Sequence, residues 1–375
     1  MSPPSPAAAA GVLTIDLAAL ADNWRLLARR AAPGACAAVI KADGYGLGLE
    51  TVAPALYAAG CRVFFVAHAS EGRRARAVLP QADARLYALN GLEAEADPLA
   101  DYAAHRLAPV LGSPEELKRW AAFAATLAAP PPSALHLDTG MNRLGFASLK
   151  ELRAATARWG AAGADLLMSH FVSSEAPDDP LNATQIARFD EARAAFPALP
   201  ASLANSSGVF LPEKPIYDLA RPGYALYGGN PTPGAPNPMK TVVTLEVAIQ
   251  QTRWIEAGET CGYNAQWTAR RRSRLATLLA GYADGLPRGA CGLDGREGAC
   301  VLVAGRRCPL VGRMSMDLCV ADVTDLPEEA AKPGERARFF GPGADLDEFA
   351  RASGTIGYTV LTNLGRRYAR RVVGG

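Results

Sequence analysis

The chain has 375 residues, of which 49% are hydrophobic and 20% charged, with a formal net charge of +2. That composition is globular, long enough for two cores, and its near-neutral charge gives no general basis for binding nucleic acid, while no run of about twenty apolar residues marks a membrane span. Seven scattered cysteines without a Cys-x-x-Cys pair, and four histidines spaced unlike metal ligands, fit a reducing cytoplasm and argue against a zinc site or a disulfide framework.

The opening MSPPSPAAAAGV lacks the basic and long apolar regions of a signal peptide, so residues 1–10 are expected to be a flexible tail. A helix over Leu17–Arg30 follows. Short β-rich runs then occur at Cys36–Ala42, Val63–His68, Arg85–Leu89, Arg106–Leu111, Ala134–Asp138, Asp165–Phe171, Ala201–Ser206 and Asp218–Arg221. Helix-like segments lie between most of them, at Glu50–Ala59, Glu71–Leu79, Leu92–Ala104, Pro114–Ala128, Leu149–Trp159 and Ala183–Phe196. Ser113, Pro114 and Glu116 have the spacing of a capping box at a helix start. Eight strand–helix units with short links predict an α/β fold, a parallel (β/α)8 barrel of the TIM type, over residues 11–235.

The pattern breaks at Gly228–Pro238, where prolines and glycines are too dense for a helix or a central strand. Beyond it, TVVTLEVAIQQTRWI, RLATLLAGYADG, CVLVAGRRCPLVG and DLCVADVTD read as strands separated by turns. A second, mostly β domain is therefore expected over residues 236–375. The basic stretch Arg270–Arg274 lacks interleaved aromatics and reads as a solvated face or a subunit contact.

One segment carries chemistry on its face. In AAVIKADGYGLG, residues 37–48, an apolar strand runs into Lys41 and then into a glycine-rich turn. The apolar lead-in should desolvate the ammonium and favour the neutral amine, which attacks carbonyls. The alternative is a strand-end lysine beside a flexible turn. In such a barrel the working groups sit at the C-terminal strand ends. Lys41 ends the first strand, Arg143 follows the fifth, His170 ends the sixth, Asn205 and Ser206 end the seventh and Arg221 ends the eighth, so these polar residues share one rim.

Taken together these segments resemble the alanine racemase family. AAVIKADGYGLG is similar to its pyridoxal-phosphate lysine motif. LHLDTGMNRLGF, MSHFVSSEAPDDPLNATQIARFDEA, ANSSG and ARPGYALYG match successive barrel blocks, and CGYNAQWTARRRSRLA, GYADGLPR, VGRMSMDLCVADVTD and IGYTVLTNLGRR match its β domain, all in order. The resemblance spans about Gly11 to Val372.

The resemblance implies a pyridoxal 5'-phosphate barrel plus a β domain, working as a cytoplasmic head-to-tail homodimer with shared active sites. It makes Lys41 the cofactor-bearing residue and the base for D-alanine, and Tyr263 the base for L-alanine on the opposite face. Arg221 would meet the pyridine nitrogen. Tyr45, Ser206, the backbone N–H groups of Gly223 and Tyr224, and Tyr358 would bind phosphate. His170 would orient Arg221 or stack near the cofactor, and Asn205 would join the cofactor-binding set, although residues 205–208 read equally as a plain turn. Arg143 would grip the substrate carboxylate, and Met316 of the partner subunit would line that pocket. Tyr282 and Asp317 match positions at the entryway. Two positions depart from the family pattern. His136 stands where many members carry a lysine that is often carbamylated, so no carbamate can form there, and a bound anion such as chloride is one way to orient Arg143. Leu47 stands where a histidine is usual.

The activity implied is racemisation of alanine, which supplies D-alanine for peptidoglycan, with no metal, nucleic acid or membrane partner. Three alternatives stay open on the sequence: a serine or broad-specificity racemase, a non-catalytic pyridoxal-phosphate-binding barrel, and an amino-acid decarboxylase of related architecture. The β domain and Tyr263 weigh against the second, and Tyr263 with Arg221 against the third.

Overall fold

A computed structural model describes residues 9–92 and 99–375. The tail expected over residues 1–10 falls outside the described residues up to position 8. The helix expected over Leu92–Ala104 is described as Leu99–Ala104. The chain divides into two compact units, one of Leu20–Met239 and one that joins the segment up to Ala19 with Lys240–Gly375.

The first unit is a parallel barrel. Seven strands run in sequence order, Ala38–Val39, Val63–Val66, Arg85–Ala88, Leu107–Leu111, Ser133–His136, Ala164–Met168 and Ala201–Ser202. The eighth, Leu219–Ala220, pairs in parallel with Ala35–Cys36. On its other side the amide of Asp218 donates to Ala201 O at 3.0 Å and that of Arg221 to Ala204 O at 2.8 Å, which closes the ring. The strands are rich in Val, Leu, Ala and Phe and almost uniformly buried, as expected for a sheet covered on one side by helices and on the other by its own filled interior.

Most strands end earlier than expected, although Leu107–Leu111 ends where the sequence places it. The first expected strand, Cys36–Ala42, stops at Val39, because Lys41–Tyr45 turns as a short helical segment with φ of 53°, 57° and 63° at Ala42, Asp43 and Gly44. Likewise Ala201–Ser206 is a strand only to Ser202. Apolar character continues past the ladder because the barrel mouth is itself packed. Helix starts follow their caps. Ser113 and Ser148 hydroxyls accept from the amides three residues on, and the Asp179 carboxylate accepts from Leu181 with Pro180 at the first position. That cap sets the start of Pro180–Ala195, three residues before the expected Ala183. The Ser113 capping box is half formed, since the Glu116 carboxylate accepts from Leu92 N at 2.8 Å and Gly112 N at 2.7 Å instead of turning wholly back to the cap.

The second unit is an antiparallel sheet. Ser273–Leu278, Cys319–Asp322, Arg306–Val311, Cys300–Val303, Arg336–Phe340 and Val243–Ile255 pair in that order, and Val243–Ile255 pairs back onto Ser273–Leu278, making a closed six-stranded ring. Val243–Ile255 serves both partners through a bulge between Ile249 and Gln251. Its inward residues Val243, Leu245, Val247 and Ile249 alternate with outward ones, the period expected for a one-sided strand. Gly11–Asp16, which the sequence reading left inside the barrel domain, instead pairs antiparallel with Val243–Ile255, and Ala369–Val373 extends the sheet beyond it. Among the described residues no helix is long and apolar enough to cross a membrane.

Candidate active site

The Lys41 turn is held open against its own preferences. Ala42, Asp43 and Tyr45 all have positive φ, a conformation that costs L-residues about 1–2 kcal/mol each. Glu71 locks it, accepting from Asp43 N at 3.1 Å and Ala67 N at 2.8 Å. The Asp43 carboxylate caps the next helix through Leu49 N and pairs with Arg74 at 2.5 Å. Sequence reasoning passed over Glu71, reading it only as a helix start. Lys41 is half-buried, and its pKa is lowered, first by desolvation and then by the nearby Arg143 charge, with Glu71 opposing. A lysine in that state supplies a neutral amine more readily.

Arg221 lies at the end of the eighth strand and is 3% exposed. Its Nη1 donates to Ser202 Oγ at 2.5 Å and its Nη2 to Ser169 O at 2.5 Å, with His170 Nδ1 at 3.5 Å. Among the described residues no carboxylate pairs with it. A buried cation surrounded only by neutral acceptors is costly, and its Nε and remaining Nη1 proton are left for another acceptor. Burial pulls its pKa down to about 9, which leaves it protonated at neutral pH. Ser202, itself buried, donates to Leu219 O at 2.5 Å. Ser202 and Ser169 were not singled out from sequence; a lone serine inside an apolar strand was the available signal.

The positive charges act on the two histidines. The pKa of His170 is pushed well below its ordinary value by desolvation, then by Arg221, Arg143, Lys41 and His136. His136 falls to about 4, by desolvation first and then the Arg221 charge, with Asp138 opposing. Both are neutral imidazoles at neutral pH.

The expected phosphate cradle is contiguous. Ser206 Oγ accepts from Gly223 N at 3.0 Å and Ala225 N at 3.2 Å. The Tyr45 ring stacks on Tyr227 with centroids 4.6 Å apart, and Tyr227 donates to Val39 O at 3.0 Å. A Cβ at Gly223 would lie 2.2 Å from Tyr45 Oη, so the phenol and the turn share one small space. Tyr224 is buried in the short helical turn that follows. Asn205 Oδ1 accepts from Ser174 Oγ and Gly208 N, both at 2.8 Å, which ties the sixth and seventh strand loops together.

A cavity of about 320 Å³ opens beside His136, lined by Asn90, Gly112, Glu116, Arg143 and Leu144. Arg143 is exposed, and among the described residues its guanidinium makes no hydrogen bond or ion pair. A larger cavity of about 830 Å³ lies in the β unit among Trp267, Asp294, Arg296 and the basic residues Arg270 and Arg271, and contains none of the candidate site residues.

The remaining candidates gather on the β unit. Tyr263 follows Gly262 (φ 80°) and is 64% exposed. Gly262 bridges to Arg313, and the run from there reaches Met316, whose carbonyl accepts from Ala283 N at 2.9 Å while Ser315 O accepts from Tyr282 N at 3.2 Å. Gly281 allows this approach, since a Cβ there would sit 2.4 Å from Met316 O. Tyr282 and Met316 are exposed, and Asp317 pairs with Arg367 at 2.7 Å. Tyr358 is half-buried in the helix Gly357–Thr362. The structure thus collects Lys41, Tyr45, Arg143, His136, His170, Ser206, Arg221 and Gly223 in the barrel unit, and Tyr263, Tyr282, Met316, Asp317 and Tyr358 in the β unit.

Comparison with known proteins bears on this arrangement. Residues 15–231 match the family model "Alanine racemase, N-terminal domain" and residues 242–372 match "Alanine racemase, C-terminal domain". The chain is 54% identical to an alanine racemase of Methylobacterium sp. (strain 4-46), over 96% of this chain and 97% of that protein. It is 48% identical to an alanine racemase of Rhodospirillum rubrum, over 98% and 96% of the two chains. A crystal structure of alanine racemase from Bartonella henselae with covalently bound pyridoxal phosphate superimposes with a TM-score of 0.90 at 37% identity, covering 97% of this chain and all of that one.

Proposed function

This chain belongs to the alanine racemase family, and on that premise we propose that it is a pyridoxal-phosphate-dependent racemase interconverting L- and D-alanine with two bases. The observation that carries the reading is the pairing, in one barrel unit, of a desolvated Lys41 with a buried Arg221 that, among the described residues, only neutral groups contact. Spare donors on a buried cation, a lowered lysine and a hydroxyl-and-amide turn at Ser206 and Gly223 suit a ligand with an aldehyde, a hydrogen-bond-accepting nitrogen and a phosphate.

Lys41 would hold the cofactor covalently, Arg221 would meet its ring nitrogen, and Tyr45, Ser206, Gly223, Tyr224 and Tyr358 would bind its phosphate. Bound pyridoxal phosphate supplies an electron-withdrawing system that stabilises negative charge at the substrate α-carbon. Arginine donates a hydrogen bond without giving up its proton. Arg221 would therefore leave the ring nitrogen without a full proton, so that negative charge would stay near the α-carbon, where reprotonation is wanted. Arg143, a planar fork without a partner among the described residues, would take the substrate carboxylate.

One group cannot serve both faces of a planar centre. In our reading Lys41 Nζ takes or returns the α-proton on one face, and Tyr263 of the partner subunit does so on the other. A proton leaving to one base and arriving from the other inverts the centre, and the reverse order restores it. Tyr263, Tyr282 and Met316 stand exposed on the β unit, which supports a head-to-tail homodimer in which a second copy covers them. The product D-alanine would serve cell-wall synthesis.

The test is direct. Purified protein with pyridoxal phosphate is incubated with L-alanine, L-serine and L-lysine, and the D-isomers are resolved by chiral chromatography. D-alanine should form fastest; absence of any D-isomer would overturn the assignment.

A further inference from the structure

Pro180–Ala195 carries two carboxamides on the stripe it buries, Asn182 and Gln185 alongside Phe189 and Ala192. A carboxamide on an apolar face is costly unless every valence is used. Gln185 is fully buried and satisfies both of its donors and one oxygen site. Its Nε2 donates to His170 O at 2.9 Å and to Thr139 Oγ1 at 3.0 Å, and its Oε1 accepts from Val172 N at 2.8 Å. The bonds to His170 O and Val172 N bracket Phe171, pinning the backbone just where the sixth strand leaves the barrel. Turning the amide over would set oxygen against oxygen at His170, so one orientation is imposed.

The chain of contacts continues to the site. Thr139 Oγ1 already accepts from Gln185, so its own proton is available to Ser169 Oγ, 2.7 Å away. Ser169 O and His170 Nδ1 are two of the three acceptors around the Arg221 guanidinium. Arg188, one turn further along the same helix, donates to Thr139 O at 2.9 Å and steadies the fifth-strand end of this bridge. Asn182 fastens the next loop, donating to Ala176 O at 2.9 Å.

We propose that Gln185 is a positioning residue for the reaction: from an outer helix it sets the strand end that presents Ser169 O and His170 to Arg221. The inference rests on the racemase reading above. Its consequence is that loosening Gln185 lets Arg221 drift from His170. The groups facing His170 are Arg221, Arg143, Lys41 and His136, so withdrawal of the Arg221 charge lets His170 protonate at a higher pH.

The experiment compares holoenzyme of the parent, Gln185→Met and Gln185→Glu. Methionine keeps the length and removes all three hydrogen bonds; glutamate keeps the acceptor for Val172 and loses both donors. Three quantities are read: kcat per cofactor-loaded site, the titration of His170 by NMR of histidine-labelled protein against the other three histidines, and Tm. A displacement of about 1 Å at a reacting centre can cost on the order of a hundredfold in rate, so kcat should fall by roughly tenfold to a hundredfold and His170 should titrate at higher pH. Parental kcat with parental His170 titration in a folded variant, whether or not Tm falls, overturns the proposal. So does failure of both variants to fold, which would make Gln185 a stability residue. A parent that does not racemise alanine would sink the racemase reading, while the His170 titration would still decide whether Gln185 sets that pair.

Discussion

Arg221 Nη2 stands 3.5 Å from His170 Nδ1, and an arginine can only donate. The contact therefore fixes Nδ1 as the acceptor and leaves the imidazole proton on Nε2. Both His170 and His136 are held below the ordinary histidine value by burial and neighbouring cations, His136 to about 4. The unfolded chain, with histidine near 6.5, binds more protons over that interval, so stability rises with pH there. The contribution is fully present above about 6.5 and is lost as pH falls through about 4. Tm measured between these limits should drop, and His136→Asn should flatten part of the slope. A slope unchanged by that substitution would remove His136 as its source.

Lys41 and Tyr263 separate by what their loss leaves behind. Lys41→Ala should abolish covalent cofactor attachment, read as loss of the yellow absorbance after dialysis. Tyr263→Phe should keep that absorbance and lose racemisation, by roughly a hundredfold to ten-thousandfold, the range of a positioned acid–base group. Full activity in Tyr263→Phe would take the phenol out of the mechanism.

The parts of this arrangement that were legible in the sequence are those encoded locally. The Lys41 motif, the Ser113 cap and the alternation in Val243–Ile255 each declare themselves within about ten residues. What stayed hidden depends on pairing across the chain. Gly11 faces Val247 in the sheet, a register no local pattern announces. Ser202, Ser169, Glu71 and Gln185 matter because of which strand end lies beside them, and a serine or a glutamine in an apolar segment reads the same whether it holds a carbonyl or a guanidinium. The positive φ values at Ala42, Asp43 and Tyr45 were hidden for another reason: Gly44, Gly46 and Gly48 suggested a flexible turn, whereas Glu71 anchors it through Asp43 N.

Ser202 should prove more important than its size. Ser202→Ala removes the acceptor for a buried Arg221 Nη1 proton. An unsatisfied buried donor costs about 1–3 kcal/mol, more when charged. Urea unfolding of apoprotein should show a loss of that order, and Ser202→Thr, which restores the hydroxyl, should recover most of it. Equal stability of the alanine variant and the parent would mean the guanidinium finds another acceptor.

Gly223 tests the phosphate cradle. A Cβ there would lie 2.2 Å from Tyr45 Oη and 2.9 Å from Cζ, so Gly223→Ala must displace the ring or the turn. Overpacking of this kind costs about 1–3 kcal/mol. Because Tyr45 is stacked on Tyr227 and cannot retreat freely, the displaced element should be the turn that carries Gly223 N and Ala225 N. Cofactor affinity, followed by fluorescence titration of apoprotein, should weaken roughly tenfold or more, on the scale of 1.4 kcal/mol per decade. Unchanged affinity would place the phosphate elsewhere.

Arg143 is the least anchored of the proposed groups. Among the described residues no carboxylate orients it, and the neighbouring strand position holds His136, whose ring is neutral at neutral pH. A long exposed side chain without a partner samples many rotamers, and ordering it at the moment of binding costs entropy. A small anion held between Arg143 and His136 would prepay that ordering. Activity assayed in chloride should then show a lower KM for alanine than in a salt of a bulky, poorly coordinating anion at equal ionic strength, with kcat little changed. The His136→Lys variant should lose most of that salt discrimination, because a carbamate on that lysine, as the family pattern implies, would pair with Arg143 in the anion's place. A KM indifferent to the anion at constant ionic strength would remove bound chloride from the account and leave the substrate carboxylate to orient Arg143 by itself.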